Sequence, residues 1–202
     1  MKFIIATNNA QKLKELERIL SPLGINAVSP KQEGISLDDV DENGATFKEN
    51  SYIKAKAACE KTGLPAIADD SGICVDALDG APGIFSARFA GDEATDEDKN
   101  NLILEKLKSV PEEKRGAHYT CAVTCVFPSG DEIQVEGYCY GKIAYEPDGD
   151  GGFGYDPIFL YNGVSFGQVS AEEKDKVSHR GNALRMFKAE LLRYLEENNV
   201  NK

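Results

Sequence analysis

The hydrophobic pattern changes near the middle of the chain, and this change limits the folds open to it. Residues Ala117 to Phe127 and Glu132 to Tyr140 alternate apolar and polar side chains, and the turn sequence Pro128-Ser129-Gly130-Asp131 joins them. The preceding part alternates strands with amphipathic helices, beginning with a strand at Lys2 to Ala6 and a helix at Asn9 to Leu20. A β/α first half followed by an antiparallel hairpin predicts a mixed α/β domain with a cleft between two lobes.

Start and stop signals predict the remaining elements. Capping boxes open two helices, one at Thr46 with Glu49 and one at Thr95 with Asp98, and a third box at Ser170 opens a short helical turn. Ser178 is a plausible N-cap for the last helix. Three segments are expected to be loops: the acidic stretch 29–42, the Gly/Pro-rich stretch 79–91 and the glycine-rich stretch 149–154. Because no repeat or linker interrupts the pattern, residues 1–202 are predicted to form one domain.

Composition excludes several classes of function. The formal net charge is −11, whereas a nucleic-acid binder needs a basic surface. No apolar run approaches the roughly 20 residues that span a bilayer, and the short apolar start is followed at once by polar residues, unlike a signal peptide. The sequence therefore predicts a cytoplasmic protein that binds neither nucleic acid nor membrane. A small polyanionic substrate stays compatible with the charge, because local Lys, Arg and Mg²⁺ can reverse the potential inside a cleft.

The five cysteines are an odd number scattered through helix and strand patterns. In a cytosolic chain they are expected to be reduced core residues. Cys121 and Cys125 have a spacing that suggests a metal site, but the same spacing puts both thiols on one strand face with Val123 and Phe127. Only two histidines exist to complete a ligand set, so zinc is not expected.

Two adjacent carboxylates follow a predicted buried strand at Ala66 to Ala68. Asp69 and Asp70 precede Ser71 and Gly72. Ionised carboxylates are costly to bury unless a cation or hydrogen-bond donors compensate, and adjacent strand residues face opposite ways, so at most one enters a given pocket. A strand-to-turn transition explains the same residue types. Both interpretations stay open on these residues alone.

Other segments place polar or cationic groups where local structure disfavours them. Lys12 lies in the first turn of a predicted helix, against the helix dipole, which suits a bound phosphate or simply a solvated lysine after an Asn N-cap. Lys174, His179 and Arg180 are predicted to lie at the start of the last helix in the same way. The loop from Asp148 to Asp156 lacks EF-hand ligand spacing. Its Phe and Tyr suit stacking on a flat base or a hairpin turn with core aromatics.

Six motifs in a fixed order carry a family resemblance that covers about residues 3–195. They are Thr7 to Lys12, Thr46 to Asn50, Ile67 to Gly72, Gly80 to Gly91, Phe153 to Phe159 and Ser178 to Arg180. In this combination the chain closely resembles the inosine/xanthosine triphosphate pyrophosphatase family, the Ham1-like enzymes. The resemblance implies an elongated, curved mixed sheet flanked by helices, two lobes with a central substrate cleft, and a homodimer.

The resemblance also implies an activity: Mg²⁺-dependent hydrolysis of deaminated purine nucleoside triphosphates (ITP, dITP and XTP) to the monophosphate and pyrophosphate. It implies that Glu42 and Asp70 bind Mg²⁺ and that Asp70 accepts the proton of the attacking water. Residues implied to contact substrate are Thr7, Asn8, Asn9, Ala10, Gln11 and Lys12 for the phosphates, Ser71, and Phe153, Gly154, Tyr155, Asp156, Lys174, His179 and Arg180 for the nucleoside. Lys54 and Glu49 are expected near the phosphate end.

One position departs from the family pattern, and three alternatives to the activity stay open. Many relatives have Gly where this chain has Gln11, which would strain a backbone of positive φ and cost nothing in a helical turn. A related Maf-like pyrophosphatase would act on pyrimidine or modified nucleotides. A nucleotide sensor would have lost the metal carboxylates, which are present here. A purely structural protein leaves the misplaced cationic groups unexplained.

Overall fold

The computed structural model describes residues Met1–Thr7 and Asn9–Asn198. The strands in this part of the chain are β1 (Lys2–Ile5), β2 (Asn26–Val28), β3 (Ala66–Val75), β4 (Gly116–Val126), β5 (Glu132–Ile143), β6 (Phe159–Tyr161) and β7 (Val164–Ser165). The α-helices are α1 (Ala10–Leu20), α2 (Phe47–Thr62), α3 (Asp96–Lys106), α4 (Ala171–Val177) and α5 (His179–Glu197).

The strands form one mixed sheet in the order β2-β1-β3-β4-β5-β6-β7. β1 pairs in parallel with both β2 and β3, with Lys2 opposite Asn26 and Ile4 opposite Ala66. β6 pairs antiparallel with β5 and with β7. Parallel pairing requires crossover connections, and helices α1 and α2 supply them. The predicted α/β fold with a mixed sheet and flanking helices is therefore confirmed.

The prediction that a strand ends at Ala68 is wrong. β3 runs on for ten residues to Val75 and carries Asp69, Asp70 and Ser71 inside it. Local propensity disfavours Asp in a strand, but lysines from two helices compensate these carboxylates, as described below. The strand-to-turn interpretation of the Asp pair is therefore excluded.

Loop segments and one cap also differ from prediction. The stretch 29–42 contains a short 3₁₀ turn at Pro30–Glu33, and the stretch 79–91 contains another at Gly83–Arg88. At α2, Thr46 Oγ1 accepts from the Glu49 N–H, but the Glu49 carboxylate accepts from the Ala45 N–H, so the reciprocal half of the predicted capping box is displaced by one residue. α1 begins at Ala10 with Asn9 just before it.

The other predicted helix starts are confirmed. Thr95 with Asp98 and Ser170 with Glu173 form reciprocal capping boxes at α3 and α4. Ser178 Oγ accepts from the Gly181 N–H at 3.1 Å at the start of α5. Such caps stabilise a helix by about 1 kcal/mol each. These starts follow from local hydrogen bonding and depend little on the rest of the fold.

The chain forms two compact units, and the division falls inside β3, between Asp70 and Ser71. The first unit contains Met1–Asp70, Cys121–Gly137 and the C-terminal part from Ala183. Its larger core joins apolar residues of α1 and α5 to the sheet and includes Leu16, Ile67 and Phe187, all fully buried. Burying each such side chain contributes about 1.5–3 kcal/mol. A smaller core packs Ala55 and Ala58 of α2 against Ile4.

The second unit contains Ser71–Thr120 and Tyr138–Asn182. Its core includes Ile73, Ile103, Tyr119, Phe159 and Phe166.

All five cysteines are free thiols, and Cys74 alone among them is only partly buried. Cys121, Val123, Cys125 and Phe127 share one core cluster of the first unit, as their spacing predicted. Among the described helices, none has the length and apolar character to cross a bilayer.

Candidate active site

The first unit presents the start of α1 beside the end of β1. The Lys12 N–H donates to Asn9 Oδ1 at 3.2 Å, and the Asn9 N–H donates to Thr7 Oγ1 at 3.2 Å. Ala10 opens the helix and is exposed. The predicted contact residue Asn8 lies outside the described residues, as does the side chain of Gln11. The Asn N-cap interpretation of this motif is therefore confirmed, whereas the solvated-lysine part of it is not.

Lys12 turns toward β3 and forms an ion pair with Asp69. Its Nζ lies 3.1 Å from Asp69 Oδ2, and the Asp69 side chain has no exposed surface. The Cys121 thiol lies 3.9 Å from the same oxygen. A lysine in a first helical turn is unfavourable to the helix dipole, and the buried carboxylate offsets this cost.

Asp70 faces a second lysine. Lys54 Nζ, on α2, lies 3.5 Å from Asp70 Oδ1 and 2.8 Å from Glu42 Oε2. Burial lowers the pKa of Lys54, but the carboxylates of Asp70, Glu42 and Asp69 raise it more, so its pKa lies above the ordinary value. The ammonium group therefore stays charged between Glu42 and Asp70.

Asp70 itself is poorly compensated. Burial raises its pKa, and the ammonium groups of Lys54 and Lys12 lower it only in part, so the pKa lies above the ordinary value. Its Oδ2 atom is buried and has no hydrogen-bond partner among the described residues. A buried acceptor without a partner costs about 1–3 kcal/mol, which marks Asp70 as a residue kept for something other than stability.

The segment that carries Glu42 is fixed by the start of α2. The Gly44 N–H donates to Asn50 Oδ1 at 2.8 Å, and the Ala45 N–H donates to Glu49 Oε2 at 2.6 Å. A Cβ atom at Gly44 would lie 2.6 Å from Glu49 Cβ, so the close approach requires glycine. Glu49 therefore stabilises the backbone of this segment through its hydrogen bond to Ala45.

The donor set around Asp70 fits a hard divalent cation. Glu42 and Asp70 already share one cation, the Lys54 ammonium, and Asp70 Oδ2 is left without a partner in the described residues. The described residues hold no ready-made group of three or more His, Cys, Asp and Glu ligands. Mg²⁺ rarely needs one, because one or two carboxylates with phosphate oxygens and water complete its shell.

The second unit centres on the buried carboxylate of Asp156. Asp156 Oδ2 lies 2.5 Å from Lys174 Nζ and accepts from the Phe153 N–H at 2.8 Å. The Tyr119 hydroxyl donates to Asp156 Oδ1 at 3.4 Å. Asp156 and Lys174 are 1% and 5% exposed, and breaking such a buried pair costs about 3–5 kcal/mol. Asp156 is therefore an anchor for the glycine-rich loop.

Cationic groups surround the Phe153 ring. Lys174 Nζ lies 4.5 Å from the ring centroid and the Arg180 guanidinium carbon lies 5.8 Å from it, both within cation–π range. Arg180 Nη2 also donates to Ser71 Oγ at 3.0 Å. The His179 ring stacks on Tyr119 with centroids 4.5 Å apart. The second unit thus contains the predicted nucleoside residues Phe153, Asp156, Lys174, His179 and Arg180, together with the predicted substrate contact Ser71. His179 and Arg180 open α5 as predicted, but the placement of Lys174 at the start of the last helix is wrong, because Lys174 lies in the last turn of α4.

Side chains of helix α3 bind the backbone of the glycine-rich loop at Gly154. The Gly154 N–H donates to Asp96 Oδ2 at 2.7 Å, and Asn100 Nδ2 donates to the Gly154 carbonyl at 3.1 Å. The predicted contact residue Tyr155 is buried, and its hydroxyl donates to the Ser86 carbonyl at 2.7 Å. The sequence analysis did not single out Asp96 or Asn100. An Asn in mid-helix, where its propensity is poor, was the available signal.

The predicted site residues therefore fall into two groups. The first unit contains Thr7, Asn9, Ala10, Lys12, Glu42 and Asp70, and ion pairs join Lys12 to Asp69 and Lys54 to Glu42 and Asp70. The second unit brings together Ser71, the loop from Phe153 to Asp156, and Lys174, His179 and Arg180. Asp70 belongs to the first group and Ser71 to the second, and the two are consecutive residues of β3.

Fold and site together define a class: a mixed α/β protein with paired carboxylates inside a sheet strand, lysines against them and an aromatic glycine-rich loop. The model of the Ham1 family matches residues 3–190, and the chain belongs to that family. A relative from an Exiguobacterium species, named dITP/XTP pyrophosphatase, is 46% identical over 198 residues, covering 97% of this chain and all of the relative. A Shigella flexneri protein of the same name is 45% identical over 190 residues, covering 92% and 95%.

Solved structures agree with this assignment. The structure of a HAM1 protein from Coxiella burnetii superposes with a TM-score of 0.88 at 36% identity, covering 96% of this chain and 99% of the other. A Staphylococcus aureus Ham1 protein gives a TM-score of 0.86 at 34% identity, covering 96% of this chain and all of the other. The predicted family is therefore confirmed, and with it the fold.

Proposed function

We propose that this chain hydrolyses the deaminated purine nucleotides ITP, dITP and XTP to the monophosphate and pyrophosphate, and so cleanses the nucleotide pool. Membership of the Ham1 family and relatives named dITP/XTP pyrophosphatase support an enzyme of the nucleoside-triphosphate pyrophosphatase class. One observation carries the chemistry: Asp70, a buried carboxylate with an unpartnered oxygen among the described residues, shares Lys54 with Glu42.

The phosphate end of the substrate is assigned to the start of α1 and to the lysines. Free backbone N–H groups at a helix N-terminus suit phosphate oxygens, and the dipole favours negative charge there. Thr7 and Asn9 precede α1, and Ala10, Gln11 and Lys12 form its first turn. Asn8, which lies outside the described residues, is also assigned to the phosphates. Lys12 and Lys54 each neutralise a carboxylate now and would share their charge with a bound triphosphate.

Glu42 and Asp70 would hold Mg²⁺, which when bound neutralises phosphate charge and activates water. Asp70 accepts the proton as water adds across the α–β phosphoanhydride, the bond to the bridging oxygen breaks, and pyrophosphate leaves. A carboxylate is suited to this role when it lies within hydrogen-bond reach of the attacking water, and Asp70 Oδ2 has no partner among the described residues. Lys54 stays charged beside it and stabilises the ionised form that begins the reaction.

The base is assigned to the glycine-rich loop of the second unit, to α4 and to the start of α5. Phe153 offers its ring for stacking, worth about 1–3 kcal/mol per base. Lys174 and Arg180 bring donors to this ring. Ser71, which accepts from Arg180, and His179, which precedes Arg180 in α5, are assigned to the same end of the substrate. Hypoxanthine and xanthine carry an oxygen at C6, which such donors reward, whereas adenine presents an amino group to them. A buried mismatch of that kind can discriminate by about 10⁴–10⁵.

The same proposal includes the setting of the enzyme. Action on the nucleotide pool fits a cytoplasmic location. The family resemblance implies a homodimer without nucleic-acid or membrane partners, and light scattering of the purified protein at several concentrations tests that assembly.

Pyrophosphate release from ITP, dITP, XTP, ATP, GTP and CTP, with Mg²⁺ and with EDTA, tests the proposal. We expect metal-dependent pyrophosphate from the first three and little from ATP or GTP. Guanine shares the oxygen at C6, so the rejection of GTP must rest on its 2-amino group. Orthophosphate as the product would contradict cleavage at the α–β bond. A preference for CTP would favour the Maf-like alternative, and tight ITP binding without turnover would favour a sensor.

A further inference from the structure

We propose that Asp96 and Asn100 of α3 are positioning residues that determine how tightly the base is bound, because they hold the backbone at Gly154 and thereby orient the Phe153 ring. The inference rests on the proposed function for its base-recognition part. It adds two residues of a separate helix to a site otherwise built from the glycine-rich loop, α4 and the start of α5.

The two side chains grip both polar groups of one residue. Asp96 Oδ2 accepts from the Gly154 N–H at 2.7 Å, and Asn100 Nδ2 donates to the Gly154 carbonyl at 3.1 Å. Asp96 and Asn100 are four residues apart and therefore lie on one face of α3. Gly154 has φ of +64°, a left-handed conformation that reverses the chain between Phe153 and Tyr155.

The backbone is the route by which the Phe153 ring is oriented. The Phe153 N–H donates to Asp156, and both backbone polar groups of the following residue, the N–H and C=O of Gly154, are bound by side chains of α3. A phenyl ring has no polar atoms of its own, so its direction follows from its Cα position and packing. A small displacement of a stacking ring causes a large loss of affinity for the base.

Asn100 is kept at a cost to stability. Its side chain is 4% exposed, and its Oδ1 atom has no hydrogen-bond partner in the part of the chain that the structure describes. Asn is also a poor helix former compared with Leu. A leucine of similar size would remove the unmet acceptor and improve propensity, while only the bond to Gly154 would be lost. A stability role alone does not explain the amide, whereas holding Gly154 does.

The carboxylate of Asp96 is oriented by two partners, one at each oxygen. Lys99 Nζ lies 2.6 Å from Asp96 Oδ1, which leaves Oδ2 directed to Gly154. Burial opposes ionisation, but the hydrogen bonds from Lys99 and Gly154 lower the pKa of Asp96 below its ordinary value. The carboxylate is therefore ionised whenever the loop is in place at neutral pH.

Asn100→Leu tests the inference, with Asn101→Leu as the matched control, because Asn101 is the adjacent, exposed residue of the same helix. We expect the urea midpoint of Asn100→Leu to equal that of the parent protein within error. KM for ITP and Kd for IMP should both rise about tenfold, which is the scale of one lost hydrogen bond. kcat and inhibition by inorganic pyrophosphate should change less than about twofold. The control should match the parent in every respect.

Hydrogen exchange of the Gly154 amide supplies a readout independent of activity, and we expect it to be faster in Asn100→Leu and unchanged in Asn101→Leu. Unchanged Gly154 exchange would overturn the inference, as would equal weakening of IMP and pyrophosphate binding. If the parent protein does not hydrolyse ITP, the proposed function fails. Hydrogen exchange of the Gly154 amide and the Kd for IMP then still decide whether α3 positions the loop.

Discussion

Lys12 and Asp69 form an ion pair in which Nζ lies 3.1 Å from Oδ2 and the carboxylate is entirely buried. The sequence placed this lysine against the dipole of α1, which suggested a bound phosphate as its counter-ion. The structure supplies a counter-ion from β3 instead. Lys12 is thus explained as a residue that lets Asp69 remain inside a strand, and its contact with phosphate stays a prediction.

The Lys12–Asp69 pair should show thermodynamic coupling. Lys12→Met and Asp69→Asn each remove one partner, and the double variant removes both. Residues in direct contact couple by about 0.5–3 kcal/mol, so the double variant should be less destabilised than the sum of the two single variants. Urea unfolding of the four proteins measures this. Additive effects would show that the pair contributes nothing to folding.

Asp70→Asn should remove turnover without loss of stability. Burial makes ionised Asp70 costly, as its raised pKa indicates, and the neutral amide relieves that cost. Unfolding of Asp70→Asn at pH 7 should therefore occur at the same or a higher urea concentration than in the parent. Asp69→Asn is the matched control and should be less stable, since it loses the ion pair with Lys12. A stability loss in Asp70→Asn equal to that of Asp69→Asn would contradict the assignment, as would retained pyrophosphate release.

Gly152→Ala should disrupt the Asp156 anchor. Gly152 has φ of +74°, and a Cβ atom there would collide with the Asp156 carboxylate. Gly163→Ala is the matched control, because Gly163 has φ of +82° and open space around it. Both substitutions carry the left-handed strain of about 1–2 kcal/mol, and Gly152→Ala should cost about 3–5 kcal/mol more if the buried pair with Lys174 breaks. Equal urea midpoints for the two variants would show that Asp156 moves aside freely.

The contribution of Asp96 should depend on pH in a defined direction. Its pKa is lowered in the folded state, so the stability that it adds is complete above the unfolded pKa and is lost as pH falls through the folded pKa. The parent should melt above Asp96→Asn at pH 7, and the difference should shrink toward pH 3. Glu97→Gln, at an exposed neighbour, should show no such change. A difference that grows on acidification would exclude the carboxylate role.

The sequence was sufficient where structure is decided locally. The caps at Thr95, Ser170 and Ser178 depend on side chains within three residues, and the structure contains them as expected. The continuation of β3 through Asp69 and Asp70 was missed because its cause is tertiary: Lys12 and Lys54 approach the strand from two helices, α1 and α2.

The same distinction holds within the candidate site. Motif order identified the family and the residues of both groups. The hydrogen bonds of Asp96 and Asn100 to Gly154 join residues more than 50 positions apart. The mid-helix Asn100 was the one signal in the sequence, and it does not indicate which residue its side chain binds. Asp156, expected at the nucleoside, is buried as the anchor beneath Phe153, and whether it also contacts substrate stays a prediction.

Competition between ITP and a large excess of ATP in one reaction with Mg²⁺ tests the central claim most directly. Mixed substrates report the ratio of kcat/KM values, which is the selectivity that a nucleotide pool requires. The account predicts IMP and pyrophosphate in equal amounts while ATP remains intact. AMP formed in proportion to ATP, or orthophosphate with IDP, would contradict it.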